Sequence, residues 1–449
     1  MNNLFLAFYG DDFTGSTDAL EFLSVAGATT ALFIEPPTIE QLKNYPDLNA
    51  IGVAGLTRSM PPQEMEKILL PAFKQLKELH PRHVHYKVCS TFDSSPKIGS
   101  VGKAIDIGTS IFNYPFVPVL VAAPALGRYC LFGNLFARMG IGSNGKIYRL
   151  DRHPSMSKHP TTPADESDLR LHLSKQTDKK IGLIDIVEIE KNKEELNKII
   201  QQLMQDKNEI IFIDALNENQ LLPIGELIDD QIKNDAPLFS VGSSGIEMAL
   251  GEYWKSKQII APKTSWPNPG KASPLLVISG SCSPVTAAQI NWGKTNGFEE
   301  VIIDATKICN SDKNNLNVEM AIKSALNFLN DNKSVIIHTN GTAENNSLQQ
   351  NLSPEKLGTA LGLMAKEIAA KTIIKRIVIA GGDTSSFAAR AMGIEAVTMI
   401  APLIKGAPLC KAIAPNSPIN NVEVNFKGGQ VGGENYFGIL LNGTVENKE

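Results

Sequence analysis

Short apolar runs alternate with longer amphipathic stretches along most of the chain. Leu4–Phe8 is a continuous apolar run typical of a buried strand, and after a polar turn Thr17–Ala26 carries apolar side chains at helical spacing. Further apolar runs predict strands at Thr29–Ile34, Ala50–Ala54, Val84–Val88, Pro118–Ala123, Gly182–Val187 and Glu209–Asp214. Strands that alternate with helices form parallel βαβ units, in which helices cover both faces of the sheet.

The alternation is interrupted clearly at residues 257–274. This segment contains four prolines and little periodicity, which is typical of a linker. Beyond it the pattern predicts strands at Leu275–Ser279, Val301–Asp304, Ser334–Thr339 and Arg376–Ala380, and helices at Pro284–Thr295, Val318–Leu329, Lys356–Ala370 and Ser385–Met392. We therefore predict an α/β fold of two domains, 1–256 and 275–449, each a mainly parallel sheet flanked by helices.

Composition narrows the class of protein. The 449 residues suit two domains of ordinary size, and a formal net charge of −4 provides no strong field for nucleic acid or an anionic membrane. The five cysteines are scattered without CxxC or zinc-ligand spacing, which favours a reducing compartment over a disulfide framework. The N-terminal run lacks the features of a signal peptide, and no stretch approaches the ~18 apolar residues of a membrane helix. We expect a cytoplasmic protein that binds neither nucleic acid nor membrane.

Three glycine-containing turns in the second predicted domain suggest a site for phosphate. Two of them, Ser279–Pro284 and Ala380–Ser386, connect a strand to a helix, where exposed N–H groups attract anions. The third, Lys427–Glu434, has four glycines in six residues and resembles a flexible flap. One such turn is more often a plain connection, but three together indicate a ligand at the carboxyl edge of the sheet. The chain has neither a GxxxxGK[ST] nor a GxGxxG motif.

A polar cluster marks the end of the first predicted strand. Asp11 and Asp12 are adjacent carboxylates that suit sugar hydroxyls, a metal ion or the proton of a reacting hydroxyl, and Asp12 fits the catalytic role better. The alternative is that they cap the following helix and interact with its dipole. Arg58, after the strand Ala50–Ala54, is either a bidentate clamp for a carboxylate or a surface arginine.

The segment Lys87–Ser95 gathers a lysine, small hydroxyl residues and a carboxylate at another predicted strand end. Such a group suits a small, polyhydroxylated, anionic ligand. Within it, Cys89 is better explained by buried packing than as a nucleophile, because no base is positioned to activate it. His159 lies in a proline-rich loop and is either a surface residue or part of a loop that closes over substrate. Ser243 and Ser244 form a further turn after a short apolar run.

Together these motifs resemble the four-carbon acid sugar kinase family over nearly the whole chain. The resemblance rests on five segments taken in order: GDDFTGSTDAL at 10–20, YKVCSTFDSS at 86–95, HPTTPADESDL at 159–169, SGSCSPVTAAQ at 279–289 and GGDTSSFAARAMG at 381–393. It implies a sugar-acid-binding N-terminal domain, a nucleotide-binding C-terminal domain and an active site in the cleft between them. It also implies ATP-dependent phosphorylation of the terminal C4 hydroxyl of a four-carbon sugar acid.

The resemblance assigns roles by matching residues. ATP with Mg²⁺ is expected at the C-terminal turns, at Ser279, Gly280, Ser281, Gly381, Gly382, Asp383, Thr384, Gly429 and Gly432. The sugar acid is expected beside Asp11, Arg58, Lys87, Ser90, Thr91, Ser94 and His159. Asp12 or Asp93 is expected to accept or orient the attacking hydroxyl, and Arg58 or Lys87 to clamp the substrate carboxylate. No metal site made by the protein alone is predicted.

Two departures from the family pattern bear on the substrate and the metal. Cys89 stands where many relatives have aspartate, and this form is similar to the 3-oxo-tetronate kinase branch, so 3-oxo-tetronate is expected ahead of threonate and erythronate. Asp383 stands where relatives often have glutamate, which keeps the charge but shortens its reach.

Alternatives from other classes stay open at this point. A nicotinamide-dependent sugar-acid oxidoreductase predicts a GxGxxG turn, which the sequence lacks. A non-catalytic sugar-acid and nucleotide-binding protein predicts loss of the glycines in the C-terminal turns, and these are present. The sequence does not fix the oligomeric state, and a homodimer is one candidate.

Overall fold

The computed structural model describes residues 4–139, 145–159, 161–232, 236–310, 316–339 and 352–444. The chain forms two compact units, Met1–Thr264 and Ser265–Glu449, whose boundary lies inside the segment 257–274. Among the described residues, no helix combines the length and the apolar character needed to span a membrane.

The N-terminal unit contains a fully parallel sheet with helices between its strands. Its strands are β1 Leu6–Gly10, β2 Thr30–Phe33, β3 Ala50–Ala54, β4 His83–Lys87, β5 Val117–Leu120, β6 Arg128–Leu131, β7 Asn134–Arg138, β8 Ile147–Arg149, β9 Ile181–Ile184, β10 Ile210–Ile213 and β11 Leu238–Gly242. Its helices are Phe13–Ala26, Ile39–Leu42, Pro62–Glu78, Val101–Phe112, Leu169–Ser174, Lys193–Gln205, Leu221–Asp229 and Gly245–Ser256. The parallel sheet has the order β2-β3-β1-β4-β11-β5-β10-β9, and β6-β7-β8 form a separate antiparallel sheet.

The central strands of this unit end at one level. Gly10 pairs with Ala54 of β3 on one side and with Lys87 of β4 on the other. Lys87 in turn pairs with Gly242 of β11. The chain visits β2 and β3 on one side of β1 before it crosses to β4, which makes β1 a topological switch point. Ligands of open α/β sheets bind beyond the carboxyl ends of the strands at such points.

The C-terminal unit has a mixed sheet whose larger part is parallel. Its strands are β12 Leu276–Ser279, β13 Glu299–Ile302, β14 Val335–His338, β15 Arg376–Ala380, β16 Ala396–Ala401, β17 Leu409–Ile413 and β18 Glu423–Lys427. Its helices are Pro284–Thr295, Ala305–Asn310, Leu316–Asn330, Pro354–Lys371, Gly382–Ala391 and Tyr436–Asn442. The strands have the order β13-β14-β12-β15-β18-β17-β16, and β17 is antiparallel to both of its neighbours.

Strand ends are also aligned in the C-terminal unit. Ser279 pairs with Ala380, and Ala380 pairs with Lys427. Val277 and Val378 of these strands belong to one buried apolar core together with Phe437 of the helix Tyr436–Asn442. The polar turns that follow the three strands therefore start from one rigid edge.

The predicted α/β class with two mainly parallel sheets is confirmed, and many predicted elements lie within a few residues of those observed. The helix Pro284–Thr295 and the strands Ala50–Ala54 and Arg376–Ala380 have the predicted bounds. The sequence pattern missed the strands β6–β8 and β16–β18, which make the antiparallel pairings, because it indicated only alternating parallel βαβ units. These strands are short, and several of them have half-buried positions that blur the apolar pattern.

Candidate functional site

Asp11, Asp12 and Arg58 form one ion-pair network at the end of β1. The Arg58 guanidinium donates to Asp11 through Nε at 3.0 Å and Nη2 at 2.7 Å. It donates to Asp12 through Nη1 at 2.9 Å and Nη2 at 2.8 Å. Four of the five N–H groups of a guanidinium are thereby used by two carboxylates of the protein.

The two aspartates differ in their electrostatics although they share one partner. Burial raises the pKa of Asp11, and the nearby Arg58 only partly opposes it. Burial also acts on Asp12, but Arg58, Lys87 and hydrogen bonds from Thr14 and Gly15 outweigh it, so the pKa of Asp12 is lowered. Asp12 is therefore the more firmly ionised carboxylate.

Asp12 also begins the helix Phe13–Ala26. Its Oδ1 accepts the backbone N–H of Gly15 at 2.8 Å, and its Oδ2 accepts the hydroxyl of Thr14 at 2.8 Å. A Cβ on Gly15 would lie 2.5 Å from Asp12 Oδ1 and 2.8 Å from Nζ of Lys87, so only glycine fits between these charges. The capping role considered from the sequence is thus present together with the ion pair.

Lys87 and Asp18 make a second buried pair beside the first. Nζ of Lys87 lies 3.3 Å from Oδ2 of Asp18, and the Ser244 hydroxyl donates to Oδ1 of the same carboxylate. Burial raises the pKa of Asp18 to about 7, against the opposing effect of Lys87. The pKa of Lys87 is raised, because the surrounding carboxylates outweigh its burial. Sequence reasoning missed Asp18, although it lies in the segment GDDFTGSTDAL, because a carboxylate inside a helix usually faces water.

The segment after β4 is mostly buried. Sγ of Cys89 lies 2.9 Å from the Thr91 hydroxyl, and burial raises the pKa of Cys89 to about 12. The thiol therefore stays protonated at neutral pH, which agrees with a packing role. Ser90 is buried beside these two residues.

Ser94 and Asp93 differ in the hydrogen bonds that they make within the protein. The Ser94 hydroxyl donates to the Phe92 carbonyl at 3.0 Å, lies 3.0 Å from Nε2 of His172 and accepts from Gln176 at 3.0 Å. Asp93 is half-buried and makes no hydrogen bond or ion pair with the residues that the structure describes. Its carboxylate is thus available to a ligand.

His159 reaches this region through its own loop. Nδ1 of His159 accepts the N–H of Thr162 at 3.1 Å. Thr162 lines a small cavity together with Asp93 and Glu166. The structure therefore brings the His159 loop to the Asp93 side of the site, while Asp11, Asp12, Arg58 and Lys87 form the charged cluster at the switch point.

The three turns of the C-terminal unit lie against one another. The N–H of Gly280 donates to the Ala380 carbonyl at 3.1 Å, and the N–H of Gly381 donates to the Lys427 carbonyl at 2.8 Å. A Cβ on Gly280 would lie 2.5 Å from Oγ1 of Thr384, and one on Gly381 would lie 2.8 Å from the same atom. The Thr384 side chain therefore leaves no room for a Cβ at either position unless it shifts.

Two helices begin at this edge, and they begin differently. Ser283 caps the helix Pro284–Thr295, since its hydroxyl accepts the N–H of Val285 at 3.2 Å. Gly381 precedes the helix Gly382–Ala391 with φ 124° and offers no side chain as a cap. The N–H groups at a helix start of this kind suit a bound anion. Asp383 lies exposed in the first turn of that helix.

Lys427 holds the glycine-rich turn through hydrogen bonds from its side chain. Its Nζ donates to the Thr286 hydroxyl at 2.9 Å and to the carbonyls of Gly428 at 2.9 Å and Gly429 at 3.3 Å. No described carboxylate lies within ion-pair distance, and burial lowers the pKa of this lysine to about 7. The glycine-rich motif includes Lys427, but the sequence analysis predicted no role for it. The sequence feature that could have indicated a role is its position as a charged residue at the end of a mostly apolar strand.

The interpretation of this turn as a flexible flap is wrong. Besides the bonds from Lys427, Nε2 of Gln289 donates to the carbonyls of Val431 at 3.0 Å and Gly433 at 2.9 Å. A Cβ on Gly429 would lie 3.2 Å from Cβ of Ser283, and one on Gly432 would lie 2.3 Å from the Tyr436 ring. The turn is packed and held from two sides.

Metal binding by protein side chains alone has no support in the described residues. Within these ranges, no group of three or more His, Cys, Asp or Glu side chains is arranged to hold an ion. Mg²⁺ at phosphoryl-transfer sites is held largely by phosphates and water with one or two carboxylates, so the turns remain compatible with a metal that arrives with a nucleotide.

Comparison with protein families matches most of the chain to two kinds of domain. Residues 6–250 match a family described as a sugar-binding N-terminal domain. Residues 276–437 match a family described as a nucleotide-binding C-terminal domain. The charged cluster at β1 falls in the first match, and the three turns fall in the second.

Curated relatives and solved structures are similar over nearly the full length. A 3-oxo-isoapionate kinase of Paraburkholderia graminis is 37% identical over 98% of this chain and 95% of its own. A 3-oxo-tetronate kinase of Salmonella typhimurium is 27% identical over 95% of this chain and 96% of its own. A crystal structure of a Salmonella typhimurium LT2 protein aligns over 97% of both chains with a TM-score of 0.76 and 26% identity. A Haemophilus influenzae protein with a TM-score of 0.70 and 22% identity, covering 96% of this chain and 98% of its own, shares the fold.

Arg58→Met tests whether this arginine is committed to the fold. The substitution leaves Asp11 and Asp12 buried without their counter-charge, so the free energy of unfolding at pH 7 should fall by about 3–5 kcal/mol. The pKa of Asp11, which burial already raises, then rises further, and the pKa of Asp12 rises above its unfolded value. Such groups contribute stability below the unfolded pKa and lose it as pH rises, so the deficit should be smaller at pH 4.5 than at pH 7. Urea denaturation at both pH values measures this.

The double variant Arg58→Met with Asp11→Asn is the matched control. It removes one of the two stranded charges and should recover part of the lost stability at pH 7. A deficit below about 1 kcal/mol in the single variant, or one that does not depend on pH, contradicts the structural role.

Proposed function

The chain belongs to the four-carbon acid sugar kinase family, and from this premise we propose that it transfers phosphate from ATP to a hydroxyl of a 3-oxo sugar acid. The observation that carries the proposal is the convergence of three glycine-containing turns at the carboxyl ends of β12, β15 and β18. They place the uncapped start of the helix Gly382–Ala391 beside the turn that Lys427 holds. Uncapped helix N-termini and glycine-lined backbone suit phosphate groups.

The substrate class follows from two considerations. The sequence favours 3-oxo-tetronate through the form of the segment around Cys89, whereas the relative at 37% identity is named a 3-oxo-isoapionate kinase. Both names describe a 3-oxo sugar acid. We therefore propose a 3-oxo acid as substrate, with 3-oxo-tetronate phosphorylated at its C4 hydroxyl as one candidate and threonate or erythronate behind it.

In this proposal Asp93 accepts or orients the proton of the attacking hydroxyl. Asp93 has an uncommitted carboxylate, whereas Asp12 is held by Arg58, Thr14 and Gly15. A group that takes a proton must be free to approach the substrate hydroxyl. Asp12 then contributes by fixing Arg58 and the start of the first helix, and the buried hydroxyls of Ser90 and Thr91 lie in the same segment as Asp93.

The C-terminal unit would bind the phosphates of ATP. The residues proposed to bind ATP lie around the start of the helix Gly382–Ala391 and in the adjoining turn. At the helix start they are Ser279, Gly280, Ser281, Gly381, Gly382 and Thr384, and in the adjoining turn they are Gly429 and Gly432. Backbone N–H groups at a helix start stabilise the negative charge of phosphate. Bound Mg²⁺ would neutralise further phosphate charge, and Asp383 is the exposed carboxylate in this turn that suits contact with the metal or with ribose.

ADP release coupled to a reporter tests the proposed activity. The purified protein with ATP and Mg²⁺ should release ADP with 3-oxo-isoapionate or 3-oxo-tetronate, and more slowly with threonate or erythronate. A reaction without acid measures background hydrolysis. If no acid raises ADP release above that background, the kinase proposal fails for this substrate class.

Asp93→Asn tests the role of the uncommitted carboxylate. The change should lower kcat with the best acid by about 100-fold or more, because the proton acceptor is lost, while the KM for ATP stays unchanged. Asp178→Asn removes an exposed carboxylate of the same unit and is the control. If Asp12→Asn lowers kcat with stability intact while Asp93→Asn does not, the two roles are reversed.

Gly381→Ala tests the nucleotide turn. Gly381 has φ 124°, and an added methyl would lie 2.8 Å from Oγ1 of Thr384, so the turn must shift. The affinity for ATP–Mg²⁺ in titration calorimetry should fall about tenfold or more, a loss of ~1.4 kcal/mol, with binding of the acid unchanged.

Gly297→Ala is the control that separates a loss of ATP binding at the turn from the general cost of placing alanine at a positive φ. Gly297 also has positive φ, at 86°, but an added methyl meets no atom within 4 Å. It should therefore lose stability without losing affinity for ATP. An equal loss of ATP affinity in both variants would remove Gly381 from the proposed site.

A further inference from the structure

A sugar acid brings a carboxylate, and the predicted clamps for it are already engaged. Four N–H groups of Arg58 go to Asp11 and Asp12. Lys87 is 1% exposed and is paired with Asp18. Taking either cation for the ligand would strand a buried carboxylate, which costs several kcal/mol. The carboxylate therefore calls for another cation at this edge of the sheet.

Arg128 stands at the same edge, two strands from Lys87. Leu120 at the end of β5 pairs with Gly242, which pairs with Lys87. After β5 the chain makes a tight turn and runs back alongside itself. Arg128 therefore exchanges backbone hydrogen bonds with Ala123 at 3.0 and 3.2 Å. Arg128 is thus held beside Ala123, three residues beyond the end of its parallel strand.

The surroundings of Arg128 are unusual for a buried cation. The residue is 6% exposed, yet no carboxylate of the described residues lies within ion-pair distance of its guanidinium. Its Nη1 donates to the carbonyls of Leu126, Gly127 and Arg138 at 3.0–3.3 Å. Its Nε finds no partner among the described residues. This buried guanidinium has a free donor and no counter-ion. A bound anion would supply both the acceptor and the opposite charge.

The groups whose charges act on Arg128 belong to the substrate side of the unit. Burial lowers the pKa of Arg128, and the carboxylates that oppose this include Asp93 and Asp18. Asp93 is a member of the segment proposed to contact the sugar acid. The buried guanidinium therefore lies in the electrostatic environment of the acceptor site.

A purely structural role explains only part of this arrangement. The bonds from Nη1 tie the turn before β6 to the neighbouring strand β7. A neutral amide side chain could make such bonds without the cost of a buried charge. The charge and the unpartnered Nε remain unexplained unless an anion is bound.

We infer that Arg128 binds the carboxylate of the substrate, while Arg58 and Lys87 serve the framework of the site. The inference rests on the proposed function, because it is the acid substrate that brings a carboxylate to this unit. It also assigns a specificity: the enzyme requires the acid form and discriminates against neutral sugars of the same shape.

The test pairs a change in the protein with a change in the ligand. Wild type, Arg128→Gln and Arg128→Lys are titrated calorimetrically with the best acid of the ADP-release panel, or with threonate if none is active, and with the carboxamide of that acid. Arg128→Gln should bind the acid about 30-fold or more weakly, yet change the affinity for the carboxamide less than about threefold. Arg128→Lys keeps the charge without the fork and should fall between the two. The KM for ATP should not change.

Arg138→Met is the matched control. Arg138 lies on the adjacent strand β7 and donates to the Gly145 carbonyl at 3.0 Å and the Tyr129 hydroxyl at 3.3 Å. Its loss should leave binding of the acid unaffected. Thermal unfolding of each variant establishes that it is folded, and Arg128→Lys carries the test if Arg128→Gln is not.

The outcomes separate the inference from the proposed activity. Equal losses for acid and carboxamide, a raised KM for ATP, or unchanged acid binding in a catalytically active wild type would overturn the role of Arg128 and leave the kinase activity standing. Wild type that binds the acid through Arg128 but releases no ADP would overturn the activity and keep the inference. Wild type that neither binds nor converts any acid would overturn both.

Discussion

Parallel strands that end in register are the constraint on which both candidate sites depend. In the N-terminal unit Gly10, Lys87 and Gly242 lie level across three neighbouring strands. In the C-terminal unit Ala380 and Lys427 are level in the same way. Because each strand passes into its turn at the same height, residues far apart in sequence meet without long loops. Side chains then decide what each edge binds.

Charge balance decides which residues of the N-terminal edge remain available. Arg58 pairs with both Asp11 and Asp12, and Lys87 with Asp18 forms the next pair. A buried ion pair contributes little net stability, but breaking one is expensive. Under the proposed function, such pairs therefore serve as fixed parts of the site and do not bind the ligand. The ligand is then bound by side chains that have no ion-pair partner in the protein, so the partners of a residue indicate its role better than its charge does.

The sequence predicted where polar residues gather better than what they do. Alternating apolar runs were enough to predict the α/β class, and strand-end motifs were enough to locate most residues of the candidate site, since both depend on local patterns. The partner of Arg58 was not predictable, because a sequence shows a cation but not the atoms that its N–H groups meet. Asp18 was missed inside a helix, and Arg128 lies on an antiparallel strand that the parallel pattern did not include.

Under the proposed function, the two edges recognise different ligands with different atoms. The C-terminal turns present backbone and small side chains, held from beneath by Lys427 and Gln289. Backbone N–H groups recognise phosphate whatever the rest of the ligand is, so this edge can serve any acceptor. A sugar acid instead differs from its relatives by single hydroxyl or oxo groups, which only specific side chains distinguish. Differences in substrate among related chains should therefore lie in the N-terminal unit, around Cys89 and Asp93, while the nucleotide turns stay unchanged.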